Sequence, residues 1–195
     1  CRRNRELNNS DEEIILDENE LSKKLGTTQM NVGGIRISPS QNLLAFSVDT
    51  SGYETYEITI MNLMNRETIA KIPDVASFEW GGDDETIYYT KMDSAHRPYQ
   101  VWENNLDNSR SDKLIFEEGD ELFWVGISKS RDRQLLFISS SSKETSEISY
   151  IDINLKTNNL TKIKPRKQGT LYSVSKRKNI FYIVTNDNNA KNFEI

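Results

Sequence analysis

The stretch "ISPSQNLLAFSVD" (residues 37–49) decides the fold, because variants of it return three more times. "WGGDDETIYYTKMD" (80–93), "ISKSRDRQLLFISSSS" (127–142) and "YSVSKRKNIFYIVTND" (172–187) follow the same plan. Each is a short polar turn leading into an apolar run rich in Ile, Val, Tyr, Phe and Thr. The turns fall near residues 38, 83, 128 and 173. That interval of about 45 residues is the repeat length of four-stranded propeller blades.

Working outward from each turn, the same four-run unit appears. The first reads "GGIRISPS", "LLAFSVD", "YEITIMNL", "ETIAKI"; the second "VASFEWGG", "TIYYTKM", "YQVWENNL", "KLIFEE". The third reads "LFWVGISKS", "QLLFISSS", "EISYIDIN", "LTKIK", and the fourth stops after "TLYSVSK", "IFYIVTND" and "NFEI". Runs of this length bounded by Gly, Asn, Asp and Ser are strands. The third run alternates, placing Tyr56, Ile58 and Ile60 on one face. The second is continuously apolar, as in a strand covered on both sides. A sandwich also gives short strands, but it has no reason to repeat one turn at a fixed interval. The fold class is therefore all-β: a β-propeller of about four (3.5) four-stranded blades, too few to close most rings, which typically hold 4–8. Residues 1–26 lead in, with helical signal only over 17–25. Residues 27–195 form the partial propeller, with blades near 32–72, 75–118, 122–164 and 169–195. An open arc leaves unpaired strand edges, so the ring is expected to continue past Ile195 or to pair its edges by oligomerising.

Composition narrows the function. The net charge of −5 and the lack of aromatics within the basic clusters "CRR" and "KIKPRK" argue against a nucleic-acid partner. No apolar run is long enough to span a bilayer. A single cysteine, Cys1, excludes an internal disulfide and suits a reducing, cytoplasmic setting. The sequons at Asn8 and Asn159 read as chance in an Asn-rich chain.

The residues show little chemistry of their own. "GISKS" lacks the final glycine of a nucleophile elbow, and Ser128 aligns with Ser38 and Ser173 as a turn residue. One His and one Cys cannot build a zinc site, and no calcium or phosphate loop is present. No cofactor, metal or catalytic residue is expected. The pairs Asp83–Asp84, Glu117–Glu118 and Asp120–Glu121 read as solvated turns rather than glycosidase carboxylates. Trp80, Trp102 and Trp124 are expected to pack between blades, and Gly33–Gly34 and Gly81–Gly82 to let strands approach closely.

The turns between second and third runs are "VDTSGYETYEI", "DSAHRPYQVW", "SSSKETSEIS" and "NDNNAKNFEI". With "CRR" and "ILDENELS" near the start, and "KLIFEE" followed by "DELFWV", this ordered set resembles the propeller domain of the oligopeptidase B group of the prolyl oligopeptidase family of serine peptidases. The resemblance covers essentially the whole chain. It implies a seven-bladed propeller, of which these residues would supply the first half, covering an α/β-hydrolase domain of the same parent chain, which would cleave short peptides after Lys or Arg. It also implies that the Ser, Asp and His of catalysis lie in that domain, outside these residues. His96 is then a loop residue. In a propeller the second-to-third connections share one face, which makes Asp49, Glu54, Arg97, Tyr99, Glu144, Glu147 and Lys191 candidates to face the hydrolase domain or the peptide. The alternative, that they cap and staple blades, stays open at this point. So does a free-standing propeller acting as a protein-interaction scaffold.

Overall fold

The computed structural model describes residues 12–107, 111–155 and 159–195. Cys1, "CRR" and the Asn8 sequon lie outside the described residues. Three four-stranded antiparallel sheets and one two-stranded sheet follow each other along the chain. The first blade holds β1 (Asn31–Ile37), β2 (Leu43–Asp49), β3 (Tyr56–Asn62) and β4 (Thr68–Val75). The second holds β5 (Ser77–Trp80), β6 (Thr86–Met92), β7 (Pro98–Asn105) and β8 (Lys113–Glu117). The third holds β9 (Trp124–Lys129), β10 (Leu135–Ser141), β11 (Ser146–Asp152) and β12 (Thr161–Lys164), and a half-blade holds β13 (Tyr172–Arg177) and β14 (Ile180–Thr185). Strand order within each sheet is sequential, and first strands of neighbouring blades touch, which is the propeller arrangement.

The second strands explain why their runs are apolar throughout. In β6, Ile87 and Tyr89 join Ala45, Ile58, Ile60 and Trp80 between the first two blades, while Tyr88 joins Val125, Leu136 and Ile138 on the other side. In β10, Leu136 and Ile138 face the second blade, and Leu135 and Phe137 pack with Ile148 and Tyr172 toward the half-blade. Each fully buried aliphatic or aromatic side chain contributes about 1.5–3 kcal/mol, against about 0–1 kcal/mol for an exposed ion pair. Inter-blade apolar burial therefore dominates the stability. β3 alternates as read, with Ile58 and Ile60 buried.

The other side of the first blade is covered by the lead-in. A short helix, α1 (Glu18–Leu25), is capped by Asp17, whose carboxylate accepts from the amides of Asn19 (2.8 Å) and Glu20 (3.1 Å), and it ends at Gly26 with φ 65°. Leu21, with Ile15, Leu16 and Met30, packs on Leu44, Phe46 and Val48. Arg66 ties the lead-in down by donating to the Ile15 carbonyl at 2.7 Å.

Three details depart from the sequence reading. The turn in the third unit is closed by Ser130, not Ser128. The Ser130 amide donates to the Leu135 carbonyl, as Ser38 does to Leu43 and Gly81 to Thr86. Ser128 and Ser173 lie within β9 and β13. The spacing wanders because outer loops differ in length, while only the strands must stay in phase. The run "NFEI" is no third strand either; it makes a single bridge, Thr185 to Glu194. Trp124 is the third case. Trp80 is 1% exposed and donates to the Arg36 carbonyl at 3.1 Å, and Trp102 is half-buried, but Trp124 is 57% exposed at the start of the innermost strand of its blade. Along β9 burial alternates at its start, and Val125 rather than Trp124 points into the core between the blades.

The glycine pairs behave as read. A Cβ on Gly33 would lie 2.6 Å from the Tyr56 ring, and one on Gly82 would lie 2.6 Å from the Ile153 carbonyl oxygen. Among the described residues no helix is long and apolar enough to cross a membrane.

Candidate functional site

The connections β2–β3, β6–β7 and β10–β11 end at the same edge of their blades as the crossovers β4–β5, β8–β9 and β12–β13. This loop face carries the candidate residues, and most of them prove to be fastened inward. Asp49 ends β2 and is 1% exposed. Its carboxylate accepts from the Ser51 amide (2.7 Å) and hydroxyl (2.6 Å), the Gly52 amide (3.1 Å) and the Glu54 amide (2.9 Å). Burial by itself would raise the Asp49 carboxyl, but these four donors outweigh it and hold it below its ordinary value. Glu54 is exposed, with φ 59°, and that strained backbone is held by the same carboxylate.

Arg97 is the hub of the second blade. It is 7% exposed; its Nε donates to Asp93 at 2.8 Å, and its Nη1 donates to the carbonyls of Asp120 (3.0 Å) and Phe123 (2.8 Å) in the β8–β9 crossover. The guanidinium also covers the Tyr99 ring, 5.4 Å from its centroid. The hydrogen bond from Arg97 holds the Asp93 carboxyl below its ordinary value. His96 is an exposed turn residue with φ 59°, its amide donating to the Asp93 carbonyl at 3.0 Å.

From Phe123 the network continues into the next blade. The Arg166 guanidinium stacks 3.7 Å from the centre of the Phe123 ring and pairs with Glu118, whose other donors are the Ser140 hydroxyl and the Asp120 amide. Glu118 is 6% exposed, which corrects its reading as part of a solvated turn. Burial pushes the Glu118 carboxyl up, but Arg166 and Ser140 outweigh that and leave it below its ordinary value. Glu147 accepts from the Arg166 amide at 2.9 Å and pairs with Lys162 at 2.9 Å. Lys164 and Lys167 both pair with Asp187, so every cation of "KIKPRK" has an internal partner.

The structure thus links Arg97, Tyr99 and Glu147 through Glu118, Phe123 and Arg166, and links Asp49 with Glu54. Glu144 and Lys191 are exposed and stand apart. Glu118 and Arg166 escaped the sequence reading because a Glu and an Arg 48 residues apart form no local pattern. The available signal was that both lie within two residues of the end of a fourth strand, one blade apart. Among the described residues no cluster of His, Cys, Asp and Glu could hold a metal ion. Ser128 is exposed within β9. Among the described residues what remains is a polar loop face whose connections are tied to one another by hydrogen bonds and ion pairs.

The family model for the prolyl oligopeptidase N-terminal beta-propeller domain matches residues 1–195. The chain is 35% identical over 194 residues to Protease 2 of Moraxella lacunata, covering 97% of this chain and 28% of that protein. It superposes on oligopeptidase B from Leishmania major with a TM-score of 0.88 at 30% identity, covering 93% of this chain and 26% of the other. For oligopeptidase B from Trypanosoma brucei, solved in a closed form with covalently bound antipain, the TM-score is 0.82 at 30% identity, with the same coverage. The chain spans about a quarter of the length of these relatives. A match over every residue, with the blades and the order of their strands as found here, shows that the chain belongs to the prolyl oligopeptidase N-terminal β-propeller domain family.

Proposed function

We propose that this chain is the non-catalytic, gating part of a cytoplasmic serine oligopeptidase of the oligopeptidase B kind. A hydrolase domain outside these 195 residues would cleave short peptides after Lys or Arg. The propeller, closed into a seven-bladed ring, would cover that domain and admit only short, unfolded peptides. The observation that carries this reading is the superposition on two oligopeptidase B structures at 30% identity. The loop face adds support: buried ion pairs hold its connections rigid, as a filter of fixed aperture requires. On this reading the exposed residues Glu54, Glu144 and Lys191 meet the hydrolase domain or the peptide. The buried residues Asp49, Arg97 and Glu147, with the half-buried Tyr99, set the shape of that surface.

The test is to assay the intact protein on matched fluorogenic peptides ending in Arg, Lys or Gln, and on a folded protein containing the same bonds. Cleavage confined to the short Arg and Lys peptides is expected. Equal cleavage of the Gln peptide would refute the specificity, and efficient cutting of the folded protein would refute the filter. Absence of any peptidase activity would favour an interaction scaffold. In the same assay Arg97→Ala is expected to raise cleavage of longer peptides relative to short ones, because it frees the β6–β7 and β8–β9 connections from each other.

A further inference from the structure

At the opposite end of the blades, where first strands turn into second strands, cations gather at the β9–β10 and β13–β14 turns, while the β5–β6 turn carries Asp83, Asp84 and Glu85. Two adjoining clefts open there, sharing Lys129, Ser130 and Arg131. One, of about 560 Å³, lies among the first three blades and is bordered by Arg36, Lys129, Arg131 and Arg133. The other, of about 1040 Å³, lies between the third blade and the half-blade and adds Lys176, Arg177 and Lys178. Only two carboxylates border them, and both are already engaged: Glu79 by Arg36 at 3.0 Å, and Asp132 by Lys176. Among the described residues Arg131, Arg133, Arg177 and Lys178 have no ion-pair partner. Lys129 spends its ammonium on the Gly81 carbonyl at 3.0 Å. Burial pushes Lys129 below its ordinary value; Glu79 and Asp83 oppose this, while Arg133 and Arg36 add to it.

Free cations gathered this way on a chain of net charge −5 are not explained by the fold. On the loop face the cations of "KIKPRK" are all paired, whereas Lys143 and Lys191 there stay exposed and unpaired among the described residues. Unpaired like charges repel, and they are stabilised when an anion sits among them. We propose that these two clefts form one binding site for an acidic peptide segment. The carboxylates would be taken by Arg131, Arg133 and Arg177. Ile35 and Ile37 at the cleft wall would receive its apolar side chains. A long nucleic acid fits less well, because beyond the clefts it would meet a chain with five more acidic than basic residues. The site lies at the end of the blades away from the loop face and does not depend on the hydrolase reading.

The experiment is fluorescence anisotropy of a labelled hexaglutamate peptide with the intact protein, beside hexaglutamine and hexalysine. Hexaglutamate alone is expected to bind, about tenfold more weakly when salt rises from about 0.05 to 0.3 M, since the Debye length shrinks across that range. The triple substitution Arg131→Ala, Arg133→Ala, Arg177→Ala removes exposed side chains and is expected to weaken binding at least tenfold. The single reversal Arg133→Glu is expected to give a smaller loss in the same direction. Unchanged affinity in the triple variant, or no binding of hexaglutamate at low salt, would overturn the proposal. So would tighter binding of inorganic pyrophosphate or a short single-stranded oligonucleotide, which would make the site one for phosphate groups.

Discussion

Breaking the pair between Glu118 and Arg166 should loosen the loop face measurably. The magnitude follows from where the pair sits. Exposed pairs are worth about 0–1 kcal/mol, and breaking a fully buried pair costs about 3–5 kcal/mol. The Glu118 side chain is 7% exposed but Arg166 is 29% exposed, which places this pair between those limits, at about 2 kcal/mol. The perturbation is a double-mutant cycle of Glu118→Gln and Arg166→Met, which isolates the coupling from the loss of either group alone. The assay is hydrogen exchange of the crossover around residues 118–123. There the Glu118 amide donates to the Tyr99 carbonyl at 2.8 Å, and the Phe123 amide donates to the Asp120 carbonyl at 3.0 Å. A coupling of about 2 kcal/mol corresponds to roughly a thirtyfold change in protection. The coupling also has a defined pH dependence. Glu118 is held below its ordinary value of 4.5 when folded, so its contribution is complete above that value and fades as pH falls through the lower folded value. The effect of Glu118→Gln should therefore be large at neutral pH and shrink in acid. A coupling under about 0.5 kcal/mol, or an effect that grows on acidification, would refute the latch.

Two further outcomes follow from close packing and from capping. Gly82→Ala should destabilise the propeller by about 1–3 kcal/mol, because its Cβ would meet the Ile153 carbonyl, whereas Gly119→Ala, with nothing within 4 Å, should change urea stability little. Asp49→Ala removes the acceptor for three amides and a hydroxyl and should make the 50–55 loop far more sensitive to limited proteolysis; equal cutting rates would show that the loop holds itself.

The legible parts of the fold were those governed by local pattern. The repeat of turn and apolar run exposed the blades. The continuous apolarity of "LLAFSVD" and "TIYYTKM" marked strands covered on both sides, and the helical signal over 17–25 marked α1. Patterns weakened wherever a residue's partner lies a blade away. Trp124 looked like Trp80 in sequence, yet one is exposed at the start of β9 and the other fills an inter-blade core. Glu118 looked like Glu117, but Glu117 is exposed while Glu118 meets Arg166. The turn serine of the third unit was misplaced by two residues because an even spacing was assumed where loop lengths differ.

The sequence by itself determined that the chain is a propeller, since burying a blade on both faces demands a repeated pattern of apolar runs that no other arrangement of these strands satisfies. Only the tertiary structure decided which charges are spent and which are free. The cations of "KIKPRK" and those of "SRDR" and "KRK" look alike in one dimension. The first set meets carboxylates carried in from other strands and loops, and most of the second meets none. Electrostatic pairing acts over a few ångströms in space, and a chain that returns to the axis about every 45 residues brings together groups that its order keeps far apart.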